Sequence, residues 1–119
     1  MNFDESVIYL ENEDFTEDGK LKVLQDKSVV IMLGGNFCHF CKDMKPEFQK
    51  FAHKVNNIYP ACILIDGNES EKQLGQKINK WLPDYKGVPT VVAYKNGKYF
   101  KTHKGPRTEV ALIEFSKGL

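Results

Sequence analysis

Unbroken apolar runs in the first half of the chain predict strands at the centre of a sheet. Residues 29–33, Val-Val-Ile-Met-Leu, form the longest run, and β-branched residues lead it. A run of this kind is typical of a strand buried on both faces. Residues 63–65 form a second run, which Asp-Gly-Asn ends, and residues 7–10 form a short first strand.

Apolar residues that recur at steps of three and four predict helices between these strands. The clearest pattern follows the first long run, and Pro46 lies inside it, so we expect a kink or a split there. A second helix ends at Pro83, a last helix covers residues 108–117, and residues 20–25 suit a helical turn or two. The positions of the clearest pattern are Cys41, Met44, Phe48, Phe51, Val55 and Ile58.

The end of the chain contains a strong hairpin signal. Residues 90–94 and 99–103 read as strands, and Asn96-Gly97 between them favours a tight turn. Alternating strands and helices before it favour parallel pairing, whereas a hairpin is antiparallel. We therefore expect an α/β domain with a mixed sheet of four to five strands flanked by helices. The length of 119 residues suits one domain over residues 1–119.

Composition and charge argue against nucleic-acid and membrane partners. Hydrophobic residues make up 41% and charged residues 28%, which is ordinary for a globular protein. With 17 basic and 16 acidic residues the net charge is +1, and this argues against a nucleic-acid surface. Acids stand near the N-terminus where a signal peptide has bases, and no apolar run reaches about 18 residues. We expect a cytoplasmic protein with no membrane partner.

Two of the three cysteines, Cys38 and Cys41, are separated by two residues where the first long run ends and the helical pattern begins. An odd, small number of cysteines does not suit a disulfide scaffold, so the pair indicates metal binding or redox chemistry. Structural zinc sites normally have four ligands, and no second closely spaced pair is present, so we expect no metal. Cys62 reads as a small core residue. The remaining candidates for a zinc ligand are His39, His53 and His103.

The position of the pair predicts how its sulfurs would react. A sulfur of Cys38 at a helix start lies over free backbone N–H groups, which stabilise an anion together with the helix dipole. The pKa of this thiol should then be lowered, and Cys38 should attack a target disulfide. Cys41, one turn later, can then attack Cys38 and release the reduced target.

At this point the chain resembles the thioredoxin superfamily. The resemblance covers nearly the whole chain and rests on Cys38-His39-Phe40-Cys41, on Pro46 and on the Gly-Val-Pro-Thr motif of residues 87–90. It implies a thioredoxin fold and a protein-disulfide oxidoreductase that needs no cofactor. It also implies that Pro89 is cis beside the cysteine pair, and that the backbone of Val88 is presented to an extended substrate chain.

Several positions depart from the family pattern. Phe37 stands where thioredoxin has a tryptophan, and His39-Phe40 replaces Gly-Pro of thioredoxin or Gly-His of protein disulfide isomerase. Met32 stands at the position of a buried acid, and Cys62 aligns with the lysine that pairs with that acid in thioredoxin. The resemblance therefore implies that the buried acid–base pair is missing on both sides.

These departures lead to three expectations about the site. His39 would stabilise the Cys38 thiolate and make the protein more oxidising than thioredoxin, unless its ring simply points to water. Phe37 and Phe40 would form an apolar rim suited to peptide binding, unless one of them packs into the core. Arg107 matches an arginine of isomerase-type domains that can swing toward the second cysteine, and the alternative is a solvated residue at a helix start.

The leading interpretation is a small thiol–disulfide oxidoreductase that uses Cys38 and Cys41 as its redox-active centre. We expect disulfide-containing protein substrates, a reductase or other thiol donor, and a monomer. Two alternatives stay open: a glutathione-dependent enzyme of the glutaredoxin kind, and a non-catalytic binding module that keeps the fold and has a regulatory disulfide.

Overall fold

A computed structural model describes residues 1–119 and contains one five-stranded sheet. The chain also has three α-helices and a short 3₁₀ helix at Asn12–Asp14. The strands are β1 (Ile8–Tyr9), β2 (Ser28–Gly34), β3 (Ile58–Leu64), β4 (Thr90–Lys95) and β5 (Lys98–Thr102); the helices are α1 (His39–Lys54), α2 (Glu69–Trp81) and α3 (Glu109–Ser116).

The sheet is mixed, and its spatial order is β1-β3-β2-β4-β5. Strand β3 is parallel to both β1 and β2, whereas β4 is antiparallel to both β2 and β5. At the hairpin, Asn96 and Gly97 have φ angles of 54° and 80°, the left-handed values that a tight turn of this kind requires. The predicted α/β class and mixed sheet are confirmed.

Strand β2 lies at the centre of the sheet and divides the core into two layers. Residues 29–33 are completely buried, as their unbroken apolar run predicts. Since successive side chains of a strand point to opposite faces, Val30 and Met32 pack with α1 and α3, whereas Val29 and Ile31 pack with α2. The carboxyl end of this rigid strand therefore has helices on both sides, and it leads directly to the cysteine pair.

The predicted helical turn at residues 20–25 is wrong. Leu21 instead forms an antiparallel bridge with Phe15, and its backbone N–H donates to the carbonyl of Gly97 at 2.9 Å. Leu24 has a φ of 55°, which is incompatible with a right-handed helix. Tertiary hydrogen bonds have overridden the local preference, and the helical turn of this region is the 3₁₀ segment further upstream.

The helix predicted around Pro46 forms as one helix but ends earlier than its apolar pattern predicts. Helix α1 runs through Pro46 without a split, because a proline removes only one hydrogen bond and the buried Met44 and Phe48 hold both halves on the sheet. The helix ends at Lys54, and Ile58 begins β3 opposite Ser28.

None of the helices has the length and apolar character required to span a bilayer.

Candidate active site

Cys38 and Cys41 lie at the corner where β2 leads into α1. Cys38 is the N-cap residue of α1, with extended backbone angles of −91° and 113°. Its Sγ accepts a hydrogen bond from the backbone N–H of Cys41 at 3.1 Å. This N–H is one of the donors that a helix start leaves without a backbone partner. The sulfur thus occupies the position at which a helix favours negative charge.

The two sulfurs are joined in a disulfide, and they differ in access. The Cα atoms of Cys38 and Cys41 are 5.2 Å apart, within the usual range for such a bond. Cys38 keeps 8% of its surface exposed, whereas Cys41 has none. An incoming reactant can therefore reach Cys38 first.

A carboxylate that the sequence analysis missed holds the loop before the pair. Asp66 accepts hydrogen bonds from the backbone N–H groups of Asn36 at 2.9 Å and Phe37 at 3.2 Å. Asp66 follows β3, and β2 and β3 are parallel neighbours, so the loops after them meet at one edge. Its place directly after a predicted parallel strand was the signal that could have identified it.

The loop before β4 forms the other side of the site. The peptide bond between Val88 and Pro89 is cis, and the Val88 carbonyl lies 3.8 Å from the Cys38 Sγ. The Thr90 hydroxyl donates to the Gly87 carbonyl at 2.6 Å and ties this loop together. The backbone N–H of Val88 has no hydrogen-bond partner within the protein. An unpaired N–H next to a reactive sulfur can donate a hydrogen bond to a backbone carbonyl of an extended ligand.

Phe37 and Phe40 form an aromatic rim around the pair. Their side chains are 69% and 61% exposed, so neither is packed into the core. The Phe37 ring lies over Gly35, where any Cβ would clash with it. The Arg107 guanidinium lies over the Phe40 ring, 5.6 Å from its centre. Arg107 is thus brought to the site, and in this structure its contact is with the rim.

His39 lies on the surface beside the pair. Its side chain is 81% exposed, and its Nε2 lies 3.3 Å from the Asp43 carboxylate one turn along α1. The ring also packs edge-on against Phe40 at 5.8 Å. His39, the residue expected to tune the Cys38 thiol, therefore already has the Asp43 carboxylate as a neighbour.

The environment behind the pair is apolar. Met32 and Cys62 lie opposite each other on β2 and β3, and both pack with Cys41 in one fully hydrophobic cluster. Burial raises the pKa of the Cys62 thiol to about 12, and the charge of Glu71 adds to this shift. Glu71 is the one buried carboxylate of the chain, and it accepts a hydrogen bond from the backbone N–H of Asn68 at the start of α2.

The predicted site residues therefore converge, whereas the other histidines do not join them. His53 lies 2.6 Å from the Asp4 carboxylate, and His103 lies 2.7 Å from the Pro106 carbonyl. No group of three or more His, Cys, Asp or Glu side chains has the arrangement of a metal site. The residues that meet at the corner are Phe37, Cys38, His39, Phe40, Cys41, Val88, Pro89 and Arg107.

Comparison with known proteins agrees with this geometry. Thioredoxin-like protein 453L of Invertebrate iridescent virus 6 is 35% identical over 111 residues, which covers 81% of this chain and 80% of the viral protein. Protein disulfide-isomerase of Medicago sativa is 29% identical over 116 residues. The match covers 95% of this chain but only 21% of the length of the isomerase. The short form of thioredoxin f from spinach chloroplast has the same fold, with a TM-score of 0.66, 24% identity, and coverage of 92% of this chain and 88% of that structure.

The sequence model of the thioredoxin family matches residues 6–117, which is nearly the whole chain. The relatives and the Cys38–Cys41 pair together support thiol–disulfide oxidoreductase chemistry in general. The resemblance stated from the sequence is confirmed, and this chain belongs to the thioredoxin family.

Proposed function

We propose that the protein exchanges disulfides with protein substrates, with Cys38 as the nucleophile and Cys41 as the resolving thiol. The observation that carries the proposal is the hydrogen bond from the backbone N–H of Cys41 to the Sγ of Cys38 at the start of α1. A sulfur held there is stabilised as a thiolate, and the thiolate is the form that attacks disulfides.

The reaction proceeds in two exchanges. The Cys38 thiolate attacks one sulfur of the target, the target S–S bond breaks, and the other target sulfur leaves as a thiolate. Cys41 then loses its proton and attacks the Cys38 sulfur, which breaks the mixed disulfide. The target has gained two electrons and this protein has lost two, and a thiol donor such as a reductase restores the dithiol. In the opposite direction, the disulfide of this protein oxidises a dithiol.

Surrounding residues have supporting roles in this proposal. The free N–H and the carbonyl of Val88, beside Pro89, align the backbone of the substrate. Phe37 and Phe40 contact apolar groups of the substrate surface around the target disulfide. These contacts precede the chemistry, so their loss raises KM more than it lowers kcat.

His39 and Arg107 are proposed to tune the two thiols. A positive charge on His39 favours the Cys38 thiolate, so replacement of His39 by alanine should raise the pKa of Cys38 and make the reduction potential more negative. Arg107 supplies a positive charge that can reach Cys41 once it leaves the Phe40 ring. Arg107→Ala should then slow release from the mixed disulfide more than it slows its formation.

An insulin-reduction assay tests the proposal. With dithiothreitol as donor, the wild type should accelerate reduction, and Cys38→Ser should abolish the acceleration. Without dithiothreitol, reduced Cys41→Ser should accumulate a mixed disulfide with insulin. Acceleration that survives in Cys38→Ser contradicts the assignment of the nucleophile, and no acceleration by the wild type indicates a binding module. Turnover that occurs only with glutathione favours the glutaredoxin alternative.

A further inference from the structure

A cleft of about 350 Å³ begins beside the cysteine pair and continues along the surface between the loop before β4 and the segment after β5. Val88 lines the cleft, and the carbonyl oxygen of Val88 lies 3.8 Å from the Cys38 Sγ. A chain whose disulfide reacts at Cys38 therefore places its flanking residues in this cleft. The residues that line it and bear on the argument are Asp84, Lys86, Val88, Thr90, Lys104 and Arg107.

The cleft has an excess of positive charge that the chain as a whole does not have. Lys86, Lys104 and Arg107 line it, and Asp84 is its only carboxylate. Asp84 pairs with Lys104 at 3.2 Å, whereas Lys86 and Arg107 have no carboxylate within ion-pair distance. The net charge of the whole protein is only +1, so this excess is local.

Two carboxylates near the cysteines lie outside the cleft. Asp43 pairs with His39 on α1, and Asp66 accepts from the backbone of the loop before Cys38. Neither residue lines the cleft. A groove lined by one sign of charge concentrates ligands of the opposite sign and raises their association rate.

We propose that the protein prefers disulfides that lie in extended protein segments with acidic residues next to the reacting cysteine. The preference rests on the proposed function, since the cleft acts only when Cys38 engages a disulfide. The Val88 backbone aligns the segment. The net positive charge that the three cations of the cleft keep after the Asp84–Lys104 pair attracts the carboxylates of the segment. Selectivity of this electrostatic kind acts mainly on encounter, so it raises kcat/KM and decreases with salt.

Three disulfide-containing peptides of one length test the preference, with aspartate, serine or lysine at the positions that flank the reacting cysteine. At low salt we expect kcat/KM to be on the order of tenfold higher for the aspartate peptide than for the lysine peptide. At about 0.3 M salt this ratio should fall toward one, because exposed charges are then screened beyond a few ångströms.

Variants that remove lysine charges test whether the preference for acidic peptides arises in the cleft. The double variant Lys86→Gln, Lys104→Gln should lower the aspartate-to-serine ratio of kcat/KM toward one. Lys98→Gln is the matched control for loss of a lysine charge, because Lys98 lies at the far end of the β4–β5 hairpin, opposite Lys95. This control should keep the ratio of the wild type.

The other outcomes contradict the preference, its assignment to the cleft or the proposed function. Equal turnover of the three peptides contradicts the preference and leaves the proposed function intact. A preference that survives the double variant contradicts its assignment to the cleft. No turnover of any peptide contradicts the proposed function, and the preference is rejected with it.

Discussion

At the scale of single residues, the two cysteines of the pair differ chemically because their sulfurs differ in hydrogen bonding and in exposure. The Sγ of Cys38 receives a backbone hydrogen bond at a helix start and keeps a small exposed surface. Cys41 is fully buried against Met32 and Cys62. Cys38 is therefore suited to be the nucleophile and Cys41 to be the resolving thiol, the two roles that two-step exchange requires.

Cys62 should be unreactive in the folded protein, because burial raises the pKa of its thiol to about 12. In the oxidised protein at about pH 8, iodoacetamide should add no mass to the folded chain and one carbamidomethyl group to the unfolded chain. Mass spectrometry with and without urea measures this. Cys62→Ala is the control and should gain no mass in either state; rapid modification of folded wild type would contradict the buried position.

At the scale of elements, the sequence predicts the site well where one segment determines it. The run of residues 29–33, the helical steps after it and the Asn-Gly turn each specify their element locally. All three elements form, although α1 ends before the last two positions of its predicted pattern. The placement of Cys38 at a helix start followed from the same local pattern. The failure at residues 20–25 occurred where Leu21 bonds to the distant Gly97, which no local pattern contains.

Contacts between segments explain what else the sequence left undetermined. Asp66 and the loop before Cys38 are about thirty residues apart and meet only because β2 and β3 are parallel neighbours. The position of Arg107 over Phe40 depends on how α3 packs beside α1. Predicting either contact requires the strand order in addition to the elements.

Helix α3 offers a test of element stability close to the site. The Thr108 hydroxyl accepts a hydrogen bond from the backbone N–H of Ala111 at 3.2 Å and caps the helix. Thr108→Ala should destabilise the protein by about 1 kcal/mol, the usual effect of losing an N-cap. Thr108→Ser keeps the hydroxyl and should unfold close to the wild type. Urea unfolding measures both, and equal losses in the two variants would contradict the capping role.

At the scale of the whole molecule, two surface carboxylates connect α1 with segments that pack against it. Asp4, near the N-terminus, accepts from Ser6 and lies beside His53, and these contacts hold the pKa of Asp4 well below its usual range. Glu47 on α1 accepts from the backbone N–H of Glu109 at the start of α3, and this hydrogen bond lowers the pKa of Glu47 below 4.5.

Acid should therefore destabilise the folded protein. A carboxyl group whose pKa is lowered by folding stabilises the protein above its ordinary pKa, and this contribution is lost as pH falls through the folded value. Since the ordinary values are 3.8 for Asp4 and 4.5 for Glu47, stability should decline below about pH 4.5. The urea midpoint measured from neutral to acid pH checks this.

A matched pair of variants assigns part of the decline to Glu47. Glu47→Gln should lower stability at neutral pH and show a shallower decline in acid. Glu5→Gln removes the same charge from an exposed side chain that has no ion pair, and should follow the wild type. Identical pH profiles for all three proteins would contradict the role of the Glu47–Glu109 hydrogen bond.

The proposed function requires that the start of α1 stabilise the thiolate of Cys38, and the pH dependence of Cys38 alkylation measures this stabilisation. The rate of iodoacetamide addition to Cys38 in the reduced protein, followed by mass spectrometry of the modified peptide, reports the fraction of thiolate at each pH. We expect a midpoint well below the ordinary thiol value of about 8.5, and a return to that value when urea unfolds the helix. A folded-state midpoint at the ordinary value would contradict this stabilisation.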